Sequence, residues 1–221
     1  MTPIRIQLYS DVLCVWAYVS QARIQELERE FPQEILIEHH WFQVFGHVAA
    51  KLEANWRERG GAAGYGAHVR EVVAKFGHVP VHPEIWARAT PASSMPAHLL
   101  LCAAGLLEVA LRDRCVPRLA DAIRTAFFRD LRDVSDWQVL LDVAQECALP
   151  EAELQGRVRD GRAFAVLSGD LDLARDNHVR ASPTLLFNEG RQRLTGNVGY
   201  RVLVANVREL LQAPAGGQSW C

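Results

Sequence analysis

The stretch that decides the fold lies near the start of the chain and reads Ser10-Asp11-Val12-Leu13-Cys14-Val15-Trp16-Ala17-Tyr18. It follows an alternating segment at residues 4–9, which predicts a β-strand, and it opens a helical pattern that continues to about Phe31. Cys14 therefore lies where a strand meets the N-terminus of a helix. Because free N–H groups and the positive end of the helix dipole stabilise a thiolate, we predict that Cys14 is a nucleophile.

Ala17 distinguishes this stretch from two-cysteine redox motifs, which carry a second thiol three residues after the first. No CxxC pair occurs anywhere in the chain, which argues against a zinc site of the usual kind. We interpret Cys102, Cys115 and Cys147 as small buried hydrophobic residues. Cys221 ends a glycine-rich segment, so we expect it to be exposed and able to reach another thiol.

The composition predicts a compact protein with no electrostatic preference for polyanions. The chain has 221 residues, is 49% hydrophobic and carries a formal net charge of -2. That balance gives no basis for binding nucleic acid or an anionic membrane. The N-terminus lacks the long apolar core of a secretory signal, and no apolar run is long enough to span a bilayer. We expect a cytoplasmic protein, whose thiols stay reduced.

The eight histidines do not form a recognisable metal site. His39 and His40 are adjacent on a predicted strand and therefore point to opposite faces. His78 and His82 have helical spacing, but Pro80 lies between them and disrupts a regular helix. We predict no metal.

The rest of the chain shows β patterns at both ends and helical patterns between them. Residues 34–41 form a second strand, parallel to the first through a crossover helix. We interpret the glycine-rich segment 57–66 as a loop, and residues 68–177 as almost entirely helical. A hairpin is predicted at residues 184–196, followed by a closing helix at residues 200–211.

Three segments together resemble a known family. They are the Cys14 stretch, the run Phe128-Arg129-Asp130-Leu131-Arg132-Asp133-Val134-Ser135-Asp136, and the run Val179-Arg180-Ala181-Ser182-Pro183-Thr184-Leu185. In order and spacing they resemble the DsbA family of thioredoxin-fold proteins. More narrowly, the chain is similar to the cytoplasmic FrnE-like branch, which is related to kappa-class glutathione transferases and 2-hydroxychromene-2-carboxylate isomerases.

The resemblance implies an α/β protein with a thioredoxin fold and a large all-helical insertion. Residues 1–50 and 178–213 would form the thioredoxin-like domain, and residues 51–177 the insertion. We expect residues 214–221 to be a flexible tail. In this fold a cis-proline loop lies against the active-site cysteine, so the resemblance implies that Pro183 is cis and lies beside Cys14.

The same resemblance assigns roles to the residues around Cys14. Ser182 would offer its backbone N–H and C=O to an extended thiol substrate. Trp16 is either an apolar wall beside the sulfur or a core anchor of the first helix. Asp11 is an accessory acid or base, a helix cap or a solvated side chain. Asn197 is a candidate contact for the γ-glutamyl group of glutathione.

Two departures from the family pattern change the expected chemistry. FrnE-like proteins usually carry Cys-Pro-Trp-Cys, where this chain has Cys14-Val15-Trp16-Ala17. Without a second thiol nearby, a mixed disulfide at Cys14 is released by an outside thiolate such as glutathione, or by Cys221. In the isomerase and kappa branches a Gly-x-Asp element helps to bind glutathione, and here the region reads Gly196-Asn197-Val198-Gly199.

Three functions remain open at this point. The first, which we favour, is a monothiol thiol–disulfide oxidoreductase with glutathione as co-substrate and no tightly bound cofactor. Its partners would be glutathione, another small thiol or disulfide, or a protein disulfide, and a second copy of the chain is a candidate partner in a homodimer. The second is a glutathione-dependent transferase or isomerase. The third is a non-catalytic member of the family that binds thiols or peptides.

Overall fold

The protein has a four-stranded sheet with helices on both faces and a large helical region beside it. A computed structural model describes residues 3–212. The predictions for Cys221 and for the tail at residues 214–221 lie outside these residues.

The sheet has the strand order β2-β1-β3-β4. β1 (Ile4–Ser10) pairs in parallel with β2 (Ile35–Trp41), as the sequence predicted. β3 (Thr184–Phe187) is antiparallel to β1, and β4 (Gln192–Thr195) is antiparallel to β3. The late hairpin therefore lies directly beside the first strand, and its entrance lies near the end of β1, where the chain turns towards Cys14.

Apolar residues on the two faces of the sheet pack against different helices. α1 (Val15–Glu30) and α10 (Tyr200–Gln212) cover one face, where their side chains, such as Leu27 and Val207, share a core with Ile37. The opposite face packs against α9 (Arg162–Asp176). The sheet is thus buried on both sides, which fixes the position of the loop that follows β1.

The helical region between β2 and β3 forms the largest core of the molecule. Its helices are α2 (Val48–Trp56), α3 (Gly61–Val73), α4 (Met95–Gly105), α5 (Glu108–Leu111), α6 (Cys115–Phe128), α7 (Trp137–Glu146), α8 (Glu151–Arg159) and α9. The same apolar cluster contains Leu13 and Val19 from the first loop and helix, and Leu100 and Phe127 from α4 and α6. The first turn of α1 is therefore packed into the helical region.

The interpretation of residues 57–66 as a loop was wrong. A short 3₁₀ turn at Arg57–Arg59 leads into α3, with Gly60 in the left-handed conformation between them. Within α3, Gly66 permits close packing of the helix against the backbone of Ile85. A Cβ atom on Gly66 would lie 2.1 Å from the carbonyl oxygen of Ile85. Glycine therefore serves here as a small helical residue rather than as a loop residue.

Asp136 caps the start of α7. The Asp136 carboxylate accepts the backbone N–H groups of Gln138 at 2.8 Å and Val139 at 3.4 Å. This cap is exposed to solvent. Within residues 3–212, no helix has the length and apolar character needed to cross a membrane.

Candidate active site around Cys14

Cys14 lies at the junction of β1 and α1, and it contacts the loop that precedes β3. Its thiol is 6% exposed, and Sγ donates a hydrogen bond to the Ser182 carbonyl oxygen at 3.2 Å. The Ser182–Pro183 peptide bond is cis. A second bond joins the same two segments, because the backbone N–H of Asp11 donates to Ser182 Oγ at 3.0 Å. Two stretches that are remote in sequence thus form a single site.

Burial is the main influence on the Cys14 thiol. It raises the pKa of Cys14 above its ordinary value, and the negative charge of Asp11 acts in the same direction. Hydrogen bonds with Ser182 and with the N–H groups of Ala17 and Trp16 lower the pKa but are the smaller influence. The sequence indicated only the stabilising effect of the helix N-terminus. In the resting structure desolvation outweighs it, and Cys14 is a protonated thiol at neutral pH.

Asp11 is fully buried, so the alternative of a solvated side chain was wrong. Its Oδ1 accepts the N–H of Leu13 at 2.9 Å. Its Oδ2 accepts the N–H groups of Val44 at 2.9 Å and Phe45 at 2.8 Å, and the hydroxyl of Ser94 at 2.8 Å. One carboxylate therefore ties the Cys14 loop to the segment after β2 and to the start of α4.

His98 on α4 completes the support of this loop. The N–H of Val12 donates to His98 Nε2 at 3.2 Å, and burial lowers the pKa of His98. The imidazole is therefore neutral, with its proton assigned to Nδ1 because Nε2 acts as an acceptor. His98 Nε2 lies 3.7 Å from the Asp11 carboxylate, and the ring stacks on Trp41 with centroids 5.7 Å apart. Sequence reasoning missed His98 because it is a single polar residue within an apolar helix.

A buried cation, Arg124 on α6, lies behind the Cys14 loop. It is 4% exposed and donates to Ser10 Oγ at 3.1 Å and to Gln21 Oε1 at 3.2 Å. The nearest carboxylate oxygen, on Asp121, is 3.9 Å away. Burial lowers the pKa of Arg124, while the negative charges of Asp121, Cys14 and Asp11 oppose that shift. Since electrostatic attraction is mutual, Arg124 favours negative charge at Cys14.

Ala17 occupies the position of the absent second thiol. It is buried and lines a small cavity together with Ser10, Arg124 and Pro183. In the part of the chain that the structure describes, the other cysteines lie in the helical region between β2 and β3, on its helices or next to them. Across residues 3–212 no set of three or more histidine, cysteine or acidic side chains is arranged to hold a metal ion.

Trp16 and Asn197 lie on the outer side of the site. Trp16 is half-buried, and its ring meets the edge of Phe76 with centroids 6.4 Å apart. Asn197 is exposed, and its Oδ1 accepts a hydrogen bond from Arg23 of α1. The loop that carries Asn197 is attached to the cis-proline, because the N–H of Gly196 donates to the Pro183 carbonyl oxygen at 2.8 Å.

A sheet of this order, with a cysteine at the first strand–helix junction and a cis-proline against it, defines a thioredoxin-fold protein with a thiol site. Residues 5–208 match the model of the DSBA-like thioredoxin domain, and the chain belongs to this family. Members of the family are thiol–disulfide oxidoreductases. No curated protein sequence matches the chain significantly.

Solved structures confirm the predicted fold. A probable DsbA oxidoreductase from Streptomyces coelicolor matches with a TM-score of 0.71 and 21% identity, over 99% of this chain and 93% of that one. The cytosolic disulfide reductase DsbM from Pseudomonas aeruginosa matches with a TM-score of 0.66 and 16% identity, over 95% and 98% of the two chains. A 2-hydroxychromene-2-carboxylate isomerase matches with a TM-score of 0.63 and 13% identity, over 97% and 100%.

Proposed function

We propose that the protein is a monothiol thiol–disulfide oxidoreductase that uses Cys14 as its nucleophile and glutathione as its co-substrate. The observation that carries this proposal is the contact between Cys14 Sγ and the Ser182 carbonyl oxygen at 3.2 Å, beside cis Pro183, while Ala17 occupies the position of a second thiol. The structure of DsbM with GSH, which matches this chain with a TM-score of 0.64, adds support for glutathione.

The reaction has two thiol–disulfide exchange steps. In the first, the Cys14 thiol loses its proton to solvent, and the thiolate attacks the glutathionyl sulfur of a mixed disulfide. A Cys14–glutathione disulfide forms and the substrate leaves as a thiolate. In the second step, a glutathione thiolate attacks the glutathionyl sulfur of this intermediate. Glutathione disulfide leaves, and the Cys14 thiolate is restored. The substrate disulfide is reduced and one further glutathione is oxidised.

The surrounding residues position the sulfur and the substrate. Ser182 offers backbone groups to an extended substrate at the entrance of β3. Asp11 and His98 hold the loop on which Cys14 lies. Arg124 supplies a buried positive charge that compensates for the charge of the thiolate once it forms.

We also propose the arrangement of the chain and its setting. Residues 1–50 and 178–213 act as the thioredoxin-like unit that carries the chemistry, and residues 51–177 act as an inserted unit. The resemblance to the FrnE-like branch supports a reducing, cytoplasmic setting, in which glutathione is available as a partner.

A glutathione-dependent transferase or isomerase is a second candidate. The observation that favours it is the burial of Cys14, which raises the pKa of the thiol and keeps it protonated. A protonated Cys14 would donate a hydrogen bond to the thiolate of bound glutathione without exchanging with it. This function predicts glutathione-dependent turnover without net oxidation.

The first experiment is to incubate the reduced protein with glutathione disulfide and to locate the modified cysteine by intact mass and peptide mapping. We expect selective modification of Cys14 that added glutathione reverses, and no such modification in Cys14→Ser. Cys102→Ala is the matched control, because Cys102 is also buried, and it should react normally. A bond between Cys14 and Cys221 would show that the terminal segment supplies the resolving thiol. An unmodified Cys14 would contradict the exchange mechanism.

A further inference from the structure

A closed ring of contacts surrounds the outer side of Cys14 and includes a cation that sequence reasoning did not identify. From Cys14 the ring passes to Ser182 and the adjoining Pro183, whose carbonyl oxygen accepts the N–H of Gly196 at 2.8 Å. The loop after Gly196 binds Arg23 on α1. The Arg23 guanidinium lies 5.6 Å from the centroid of the Phe76 ring, which in turn packs against Trp16, two residues from Cys14.

The partners of Arg23 in this ring are all neutral. Its Nη1 donates to the side-chain oxygen of Asn197 and to the carbonyl oxygen of Val198, the latter at 3.3 Å. Among residues 3–212, no acidic side chain forms an ion pair with Arg23. The acidic groups further along α1 have other partners: Glu26 pairs with Arg29, and Glu30 pairs with Arg208. Within the described part of the chain, Arg23 therefore keeps an uncompensated charge and further N–H donors.

The spacing along α1 places this charge within reach of a small peptide bound at Cys14. Trp16 and Arg23 are seven residues apart, so they lie on the same face of the helix, about 10 Å apart along its axis. A long side chain on a helix inclines towards the N-terminus, which brings the guanidinium closer to Cys14. An extended tripeptide spans roughly 10 Å. The glutathione sulfur lies on its central residue, so an end carboxylate covers part of the separation from Cys14 and the inclined Arg23 side chain covers the rest.

We propose that Arg23, steadied by Phe76 and Asn197, binds a carboxylate of glutathione while the sulfur of that glutathione meets Cys14. The proposal rests on the proposed function and names the group that selects the thiol partner. An arginine offers paired N–H donors with the geometry that a carboxylate requires. Asn197 then positions Arg23, and the direct contact with the γ-glutamyl group suggested by the sequence is replaced by an ion pair.

The test compares two disulfides that differ in charge. Glutathione disulfide carries carboxylates, and bis(2-hydroxyethyl) disulfide carries none. The rate of mixed-disulfide formation at Cys14 is measured by intact mass for the unchanged protein, Arg23→Gln, Arg23→Lys and Arg29→Gln. Arg29 is the matched control, because it lies on the same helix and its loss changes the net charge equally.

We expect Arg23→Gln to slow the reaction with glutathione disulfide by about fivefold, the upper range for an exposed ion pair. The reaction with the uncharged disulfide should be unchanged, Arg23→Lys should retain most of the rate, and Arg29→Gln should behave like the unchanged protein. The difference should shrink as salt is added. Equal slowing of both disulfides, or of neither, would overturn the proposal, because Arg23 would then act only on structure or not at all.

Affinity for S-methylglutathione, measured by calorimetry, separates this proposal from the exchange function. This ligand has the carboxylates of glutathione but cannot exchange. If Cys14 reacts with neither disulfide, the exchange function fails, whereas binding that Arg23→Gln weakens by a similar factor would still support the carboxylate site. Absence of binding, or binding that is insensitive to Arg23→Gln, would overturn it.

Discussion

Two buried thiols, Cys14 and Cys102, have very different surroundings. Burial raises the pKa of both. Cys102 lies in the interior of α4 and is enclosed by apolar neighbours. Cys14 lies at a chain junction and is bonded to Ser182, and the buried carboxylate of Asp11 supports its loop by accepting the N–H of Leu13. Burial therefore does not distinguish the two thiols; a polar support and an adjoining strand entrance do.

The largest expected effect tests that polar support. Asp11→Ala removes the acceptor of three backbone N–H groups and one hydroxyl in a fully buried place. We expect a loss of about 3–5 kcal/mol in the free energy of unfolding, measured with urea, because buried donors are left unpaired. Asp136→Ala, which removes an exposed cap in the helical region, should cost only about 1 kcal/mol. Equal losses of unfolding free energy in the two variants would show that the Cys14 loop needs its buried carboxylate no more than α7 needs its exposed cap.

The second prediction concerns the pH dependence of stability. Burial lowers the pKa of His98 below its ordinary value, so the folded protein resists protonation there. Above about pH 6.5 the imidazole is neutral in both states, and stability is complete. As the pH falls below that value only the unfolded chain gains the proton, so the free energy of unfolding falls by about 1.4 kcal/mol per pH unit.

His39 acts in the same direction, because burial lowers its pKa to about 3. We therefore expect His98→Asn to reduce the acid slope of the urea unfolding free energy by the contribution of His98, while the contribution of His39 remains. Replacing the exposed His47 with asparagine should leave the slope unchanged. An unchanged slope in His98→Asn would show that the support of the Cys14 loop does not depend on a neutral His98.

The smallest expected effect concerns Cys102. Cys102→Ala removes one buried sulfur atom and should lower the free energy of unfolding by about 1 kcal/mol, as for the loss of a buried methyl group. Its rate of exchange with glutathione disulfide should equal that of the unchanged protein. A lower rate would mean that packing within α4 affects the reactivity of Cys14. The surroundings of the two thiols would then not be independent.

The sequence predicts the frame of the protein better than it predicts the site. The alternation in β1 and β2, the hairpin and the helix starting at Val15 are local patterns, and they are present as expected. The resemblance to the DsbA family also brought Cys14 and Ser182 to one place. The glycines of α3 were misread because composition alone does not distinguish a turn from a close contact between a helix and the backbone of Ile85.

The partners of the site residues depend on contacts between remote segments, which no local pattern records. The carboxylate of Asp11 binds residues more than thirty positions away, His98 is a single polar residue in an apolar helix, and Arg124 is one of several polar residues of α6. The surroundings of Arg23 also depend on remote segments, since its hydrogen-bond partners lie 174 and 175 residues further along the chain. In each case the burial and the hydrogen-bond partners of the residue are set by the tertiary fold and are not predictable from the residue type.

The hydrogen bond from Cys14 to Ser182 makes the strand entrance sensitive to the oxidation state of the sulfur. A reduced thiol has one proton to donate, and it takes one of the two lone pairs of the Ser182 carbonyl oxygen. If the sulfur enters a disulfide, it has no proton, and both lone pairs of that oxygen become free to accept other donors. Under the proposed function, we therefore expect the entrance of β3 to offer one more acceptor position when Cys14 carries a mixed disulfide than when it is reduced.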